Sequence, residues 1–85
     1  MDLKEKVAAL LKTAFEPEEL VLDDSDGLGG YIVTPRFRGY DSLDRQRMIN
    51  KVLRSRDSGI SKAEQREILI IAAFTPEEYL LHAPD

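Results

Sequence analysis

The sequence predicts an α+β fold in which helices cover one face of a three-stranded mixed sheet, in the element order αββα(α)βα. Three observations support this class. Two segments repeat apolar residues at helical spacing, three short segments are apolar and β-prone, and proline, glycine and capping residues lie between them. A helix separates the second and third strands, which requires a right-handed parallel crossover, whereas the first two strands can pair as a hairpin.

The first helix and the first two strands are predicted in the first third of the chain. Apolar residues recur on one helical face between residues 2 and 15, namely Leu3, Val7, Leu10, Leu11 and Ala14. Pro17 ends this helix because proline disfavours the helical conformation of the residue before it. Residues 20–22 and 31–34 are predicted as strands, with an acidic, glycine-rich loop over residues 23–30 between them.

The remaining elements are predicted from capping residues and one long apolar run. Ser42 is predicted as the N-cap of a helix that runs to about Arg56. Residues 61–64 have capping-box spacing, which predicts one or two further helical turns. The run 68–74 is apolar throughout, which predicts a strand that is largely covered on both faces or central in the sheet. Residues 75–78 supply an N-cap, a proline and a capping-box glutamate for a terminal helix.

Length and composition exclude several classes of protein. A chain of 85 residues without cysteine and with one histidine predicts a single small domain over residues 1–85, without disulfides, thiolate nucleophiles or cysteine-bound metal. Neither a catalytic Ser/His/acid set nor a nucleotide-binding loop can be assembled from the sequence, so we expect neither an enzyme nor a small-molecule substrate. We expect a cytoplasmic protein without membrane contact, because membrane-spanning and secretory-signal patterns are lacking.

The charge of the chain is unevenly distributed. The net charge is −4, but residues 36–66 hold nine basic and four acidic side chains, a local charge of +5 that leaves −9 elsewhere. A candidate phosphate-binding surface within this segment consists of Arg36, Arg38, Arg47, Lys51 and Arg54. The last three share one helical side, opposite an apolar side. The alternative is that these side chains are merely solvated at the surface.

Three other features have a structural and a functional interpretation. Arg45 lies near the apolar side of its helix, which favours pairing with a carboxylate or a backbone carbonyl over nucleic-acid contact. The segment 27–30 spells the Gly-x-x-Gly of KH domains, but it joins two strands after three aspartates, which favours a hairpin loop. Those aspartates lack the final glutamate of a calcium loop, which favours solvated acids over a cation site.

Several short motifs, in the same order and spacing, resemble the BolA family. They are Asp23-Asp24-Ser25, Ile32-Val33-Thr34-Pro35, Arg36-Phe37-Arg38-Gly39, Leu43-Asp44-Arg45-Gln46-Arg47-Met48-Ile49 and Phe74-Thr75-Pro76-Glu77-Glu78-Tyr79. The resemblance implies the family's αββαβα fold with an added helical turn, similar to the class II KH arrangement. It also implies a non-enzymatic regulator, either a DNA-binding transcriptional regulator in stress responses or an adaptor that partners a monothiol glutaredoxin in iron–sulfur homeostasis.

The sequence departs from the family at the positions that ligate a shared [2Fe–2S] cluster. The family's ligand histidine aligns with Glu67, and the family's Arg-His-Arg appears as Arg45-Gln46-Arg47. The loop that supplies a second ligand in relatives holds carboxylates, serine and glycines here. We therefore expect no resident cofactor or metal, and a partner surface that includes Glu67, Asp24 and Gly27. Glu67 is either an inert replacement or a new polar contact on that surface.

Overall fold

The computed structural model describes residues 2–82. Its helices are α1 (Leu3–Phe15), α2 (Ser42–Leu53), α3 (Lys62–Gln65) and α4 (Pro76–His82). Its strands are β1 (Glu19–Asp23), β2 (Leu28–Val33) and β3 (Ile68–Phe74). Short 3-10 turns at Pro35–Phe37 and Arg56–Ser58 precede and follow α2. The predicted domain, residues 1–85, also includes Met1 and residues 83–85, which lie outside the described residues.

The three strands form one mixed sheet with β2 in the centre. Strand β1 pairs antiparallel with β2, and Leu20 lies opposite Ile32. Strand β3 pairs parallel with β2, and Ala73 lies opposite Ile32 on that side. The connection from β2 to β3 runs through α2 and α3, as the sequence predicted. The α+β class with a three-stranded mixed sheet is therefore confirmed.

The core lies between the sheet and the helices α1 and α2. Its buried side chains are Val7, Leu11, Phe15, Leu28, Ile32, Phe37, Ile49, Leu53 and Ile71. Helix α4 follows β3 directly, and its Tyr79 stacks on Tyr31 with ring centroids 5.4 Å apart. Because side chains alternate along β2 and Ile32 is fully buried, Tyr31 lies on the opposite face of the sheet from the core. Tyr79 therefore ties α4 to the outer face, so the prediction that the helices cover one face of the sheet is wrong for α4.

Two of the three predicted helix N-caps agree with the structure, one differs, and the cap of α1 was not predicted from the sequence. Asp2 caps α1, and reciprocal capping boxes join Ser61 to Glu64 and Thr75 to Glu78. The prediction of Ser42 as the N-cap of α2 is wrong. The N-cap is Asp41, whose carboxylate accepts a 2.8 Å hydrogen bond from the backbone N–H of Asp44. Helix α2 also ends at Leu53 rather than near Arg56. A separate short 3-10 turn follows at Arg56–Ser58.

The predicted loop over residues 23–30 is too long, because β2 already begins at Leu28. Gly29 and Gly30 are strand residues that pair with Asp23 and Leu22 of β1. Gly30 adopts φ +146°, and a Cβ on this residue would lie 1.9 Å from the carbonyl oxygen of Val21. Glycine is therefore required here by close approach within the sheet, although the sequence signal for glycine favours a loop.

Strand β3 has the predicted bounds. The prediction that it is largely covered on both faces or central in the sheet is wrong. It is an edge strand, and the side chains of Leu69 and Ile70 are 55% and 78% exposed. Only Ile71 is fully buried along its length. A continuous apolar run predicts a strand that is buried on both faces, but it does not determine which strand lies at the edge. No helix formed by residues 2–82 is long and apolar enough to span a membrane.

Candidate nucleic-acid interface and partner surface

The outward side of α2 carries three exposed cations, which we call the α2 basic face: Arg47, Lys51 and Arg54. They follow one another at spacings of four and three residues, so they lie on one side of the helix. The Arg47 guanidinium lies 3.6 Å from the carboxylate of Asp44, one helical turn away. An exposed ion pair of this kind contributes little to stability. Lys51 and Arg54 form no ion pair with any residue in the range 2–82. The α2 basic face therefore presents its charge to solvent.

The opposite side of α2 determines this orientation. Ile49 and Leu53 enter the core, and Arg45, which lies on the same side, is only 9% exposed. Its guanidinium donates to the backbone carbonyl of Tyr40 at 2.7 Å, to that of Ala73 at 3.1 Å and to the Glu78 carboxylate at 2.6 Å. The prediction that Arg45 pairs with a carboxylate or a carbonyl is confirmed.

These contacts also protect part of the edge of β3. The Gln46 side-chain amide donates to the carbonyl of Ile71 at 2.8 Å, and Arg45 donates to the carbonyl of Ala73. Ile71 and Ala73 are alternate residues, so their carbonyls point to the side of β3 that no strand covers. The Glu78 carboxylate accepts hydrogen bonds from the Arg45 guanidinium and from the backbone N–H of Thr75, and these bonds lower the pKa of Glu78 to about 2.

Arg36 and Arg38 do not join the α2 basic face. Arg36 donates to the carbonyl of Ala14 at 3.0 Å and pairs with Glu16 at the carboxyl end of α1. Arg38 pairs with Glu77 in the first turn of α4 and lowers the pKa of that carboxylate. The sequence prediction grouped both arginines with the helix because they precede it. Their partners are 20 and 39 residues away in sequence, so no local pattern indicates the pairing.

The three residues of the predicted partner surface do lie together. Asp24, Gly27 and Glu67 line one open cavity of about 280 Å³ between the amino end of α1, the β1–β2 loop and the start of β3. The backbone N–H of Leu28 donates to the carbonyl of Glu67 at 2.8 Å, which joins the loop to β3. Gly27 adopts φ +76°, and a Cβ there would approach the side chain of Leu69 to 2.8 Å.

The exposed side chain of Leu69 lies next to this cavity. Leu69 lines an adjoining depression with residues of the β1–β2 loop and of the strand ends beside it, including Asp23, Asp26 and Gly29. The side chain of Ile70, the next residue, is the most exposed apolar group in β3. Sequence analysis missed both residues as surface features, because it assigned the whole of β3 to the interior. Clustered exposed apolar side chains with a polar rim are typical of interaction surfaces.

The donor atoms at this surface do not fit an iron–sulfur cluster. Glu67 occupies the position of the family's ligand histidine, and the facing loop contributes the carboxylate of Asp24 and the hydroxyl of Ser25. Iron–sulfur clusters are held by thiolate and imidazole ligands, for which carboxylate is a poor substitute. The donor atoms of this surface are therefore poorly suited to cluster ligation.

Comparisons with known proteins agree with the motifs read in the sequence. Neither a protein-family model nor a curated protein matches the sequence significantly. Among solved structures, a bol-like protein from Babesia bovis is 27% identical, with a TM-score of 0.70, over 99% of this chain and 96% of that one. The structure of BolA1 from Arabidopsis thaliana is 22% identical and supports the fold alone, with a TM-score of 0.72 over 92% of this chain and 96% of that one. Together with the motifs at residues 23–49 and 74–79, these matches show that the chain has a BolA-like fold and resembles the BolA family.

Proposed function

We propose that this BolA-like protein is a non-enzymatic regulator that binds DNA through the α2 basic face. The observation that carries the proposal is the exposure of Arg47, Lys51 and Arg54 on one side of a helix whose other side is anchored in the core. A rigid helix presents the three charges at fixed spacing. DNA phosphates can then be contacted without a rearrangement of the backbone.

The expected binding is electrostatic and therefore depends on salt. Each neutralised phosphate releases condensed counterions, so the logarithm of the binding constant falls with the logarithm of salt concentration by about 0.9 for each phosphate contacted. Three contacts from the α2 basic face predict a slope of about −3. The acidic remainder of the chain repels phosphates, which restricts the productive orientation to this side of the molecule.

The test is a titration of a fluorescent DNA duplex across a salt series. We expect the Arg47→Ala/Lys51→Ala variant to bind the duplex about tenfold more weakly and to reduce the salt slope by about 2. Alanine preserves the helix because it has the highest helix propensity. The matched control is Lys4→Ala/Lys12→Ala, which removes two exposed cations from α1. Equal affinities and slopes for the two variants would refute the proposal.

A second candidate function is that of a protein adaptor, with a monothiol glutaredoxin as the partner that the family resemblance suggests. The specific observation in its favour is that Asp24, Gly27 and Glu67 line one cavity, that Leu69 lines the adjoining depression, and that the next residue, Ile70, exposes an apolar side chain. Because the donor atoms there are poorly suited to cluster ligation, this function predicts association without iron.

The adaptor function is tested by mixing the chain with a monothiol glutaredoxin, with and without anaerobic iron–sulfur reconstitution. We expect a heterodimer in size-exclusion chromatography under both conditions, and no change in the visible spectrum of the glutaredoxin cluster. Ile70→Asp is expected to abolish the heterodimer, whereas Leu43→Asp, at an exposed apolar residue of α2, is the matched control. The absence of a complex under both conditions would reject the adaptor function.

A further inference from the structure

A second group of cations lies beyond the end of α2, where α3 packs against it. Arg54, Lys62 and Arg66 line one open cleft of about 430 Å³, together with Ile60 and Gln65. Lys62 and Arg66 are four residues apart, so they project from the same side of the short helical segment. Arg54 is the C-cap of α2 and faces them from the other wall of the cleft.

The acidic side chains nearest in sequence are directed away from this cleft. Glu64 accepts hydrogen bonds from the Lys6 ammonium at 3.1 Å and from the backbone N–H of Ser61 at 3.0 Å, and both bonds tie it toward α1. Glu67 lines the cavity beside Gly27, and Asp57 lines a depression over α1. The cleft lining, all of it within the described residues, therefore contains three cations and no carboxylate.

The walls of the cleft are fixed by hydrogen bonds that do not involve its cations. The Gln65 side-chain amide donates to the carbonyl of Leu53, which fastens α3 to the last turn of α2. The capping box of Ser61 and Glu64 fixes the start of α3. Like charges that line one cleft repel one another, and an anion between them relieves that repulsion. The arrangement is therefore prepared to receive negative charge.

We propose that the cleft formed by Arg54, Lys62 and Arg66 is a phosphate-binding site. Arginine and lysine hold phosphate through charge-assisted hydrogen bonds, with the arginine fork able to donate two parallel bonds. Half-buried Ile60 supplies an apolar surface next to the charges, which suits a phosphate that is attached to a larger organic group. Two sources carry this chemistry: a free phosphorylated molecule and the phosphodiester backbone of a nucleic acid.

The proposal extends the DNA-binding function but does not depend on it, because only Arg54 belongs to both surfaces. The test is therefore made with Lys62→Gln/Arg66→Gln, which leaves the α2 basic face intact. The probes are inorganic pyrophosphate and a short DNA duplex with hydroxyl ends, each added to ¹⁵N-labelled protein at constant ionic strength. The matched control is Lys4→Gln/Lys12→Gln on α1.

We expect pyrophosphate to shift the backbone amide signals of residues 60–66 and to bind the cleft variant about tenfold more weakly than the control. If the duplex shifts the same signals and loses affinity for the cleft variant, the ligand is a phosphodiester backbone. If pyrophosphate alone does so, the ligand is a free phosphorylated molecule. If neither probe shifts these signals, or both variants bind equally, the site does not exist. This result would leave the DNA-binding proposal untouched, because that proposal is tested separately by DNA binding of the Arg47→Ala/Lys51→Ala variant.

Discussion

At the scale of single residues, Arg45 and Glu78 connect three parts of the fold. Arg45 is held against the carbonyls of Tyr40 and Ala73, and Glu78 binds both the guanidinium and the backbone N–H of Thr75. The arginine is nearly buried, whereas the carboxylate side chain is 41% exposed. Loss of the Glu78 carboxylate would therefore leave the nearly buried Arg45 guanidinium with fewer hydrogen-bond partners. This lowers the free energy of unfolding, even though Glu78 itself is partly exposed.

The depressed pKa of Glu78 makes part of the stability depend on pH. The pKa is about 2 in the fold, because Arg45 and the Thr75 backbone N–H stabilise the ionised form, against a usual value of 4.5. A carboxylate with a lowered pKa contributes stability above its unfolded pKa and loses it as the pH falls through its folded pKa. This contribution is therefore complete near neutral pH and declines between pH values of about 5 and 2.

We predict that Glu78→Gln lowers the free energy of unfolding by about 1 to 2 kcal/mol at neutral pH and by much less near pH 2. Urea denaturation at several pH values measures the difference. Glu77→Gln is the control, since the pair of Glu77 with Arg38 is exposed on both sides and we expect little change in stability. A loss that is the same at both pH values would contradict this account of Glu78.

Residue roles were predictable where they follow from the position within one helix. The helical wheel places Arg45 on the apolar side of α2 and Arg47 on the opposite side, and the structure agrees. The same reasoning could not separate Arg36 and Arg38 from the α2 basic face. Their carboxylate partners are contributed by α1 and α4, and only the tertiary fold brings those elements to residues 35–38.

At the scale of elements, capping residues and prolines predicted the helices well, and composition alone predicted the strands less well. Asp2 and Thr75 begin helices because their side chains accept bonds from backbone N–H groups that the helix leaves unpaired. Strand β2 starts three residues earlier than predicted, since Gly29 and Gly30 resemble a loop in sequence. Their place in the sheet depends on the approach of Val21 from β1, which is a tertiary contact.

We predict that Gly30→Ala destabilises the protein by more than about 2 kcal/mol, because the added Cβ would overlap the Val21 carbonyl and force β1 and β2 apart. Thermal or urea unfolding measures this change. Gly39→Ala is the matched control, since Gly39 also has a positive φ, +84°, but its Cβ would meet no atom within 4 Å. We expect Gly39→Ala to lower the free energy of unfolding by about 1 kcal/mol. Equal losses for the two variants would show that β1 and β2 are not packed as described.

At the scale of the whole molecule, the two candidate surfaces differ in chemistry. The α2 basic face and the adjoining cleft carry exposed cations, whereas the cavity at Gly27 has an acidic and apolar border. The charge count predicted a basic segment, and the structure shows which of its members remain available. The apolar border was not predictable, because the exposure of Leu69 and Ile70 depends on β3 being the last strand of the sheet.

The most direct measurement of the central proposal is a map of the DNA-binding surface by amide chemical shifts of ¹⁵N-labelled protein. The account predicts that a short DNA duplex shifts the signals of residues 44–55 most strongly, and that the shifts disappear as salt is raised. The signals of residues 24–27, in the acidic loop, are expected to stay nearly unchanged. Shifts concentrated in that loop and in β3, or no shifts at low salt, would contradict the assignment of α2 as the DNA-binding element.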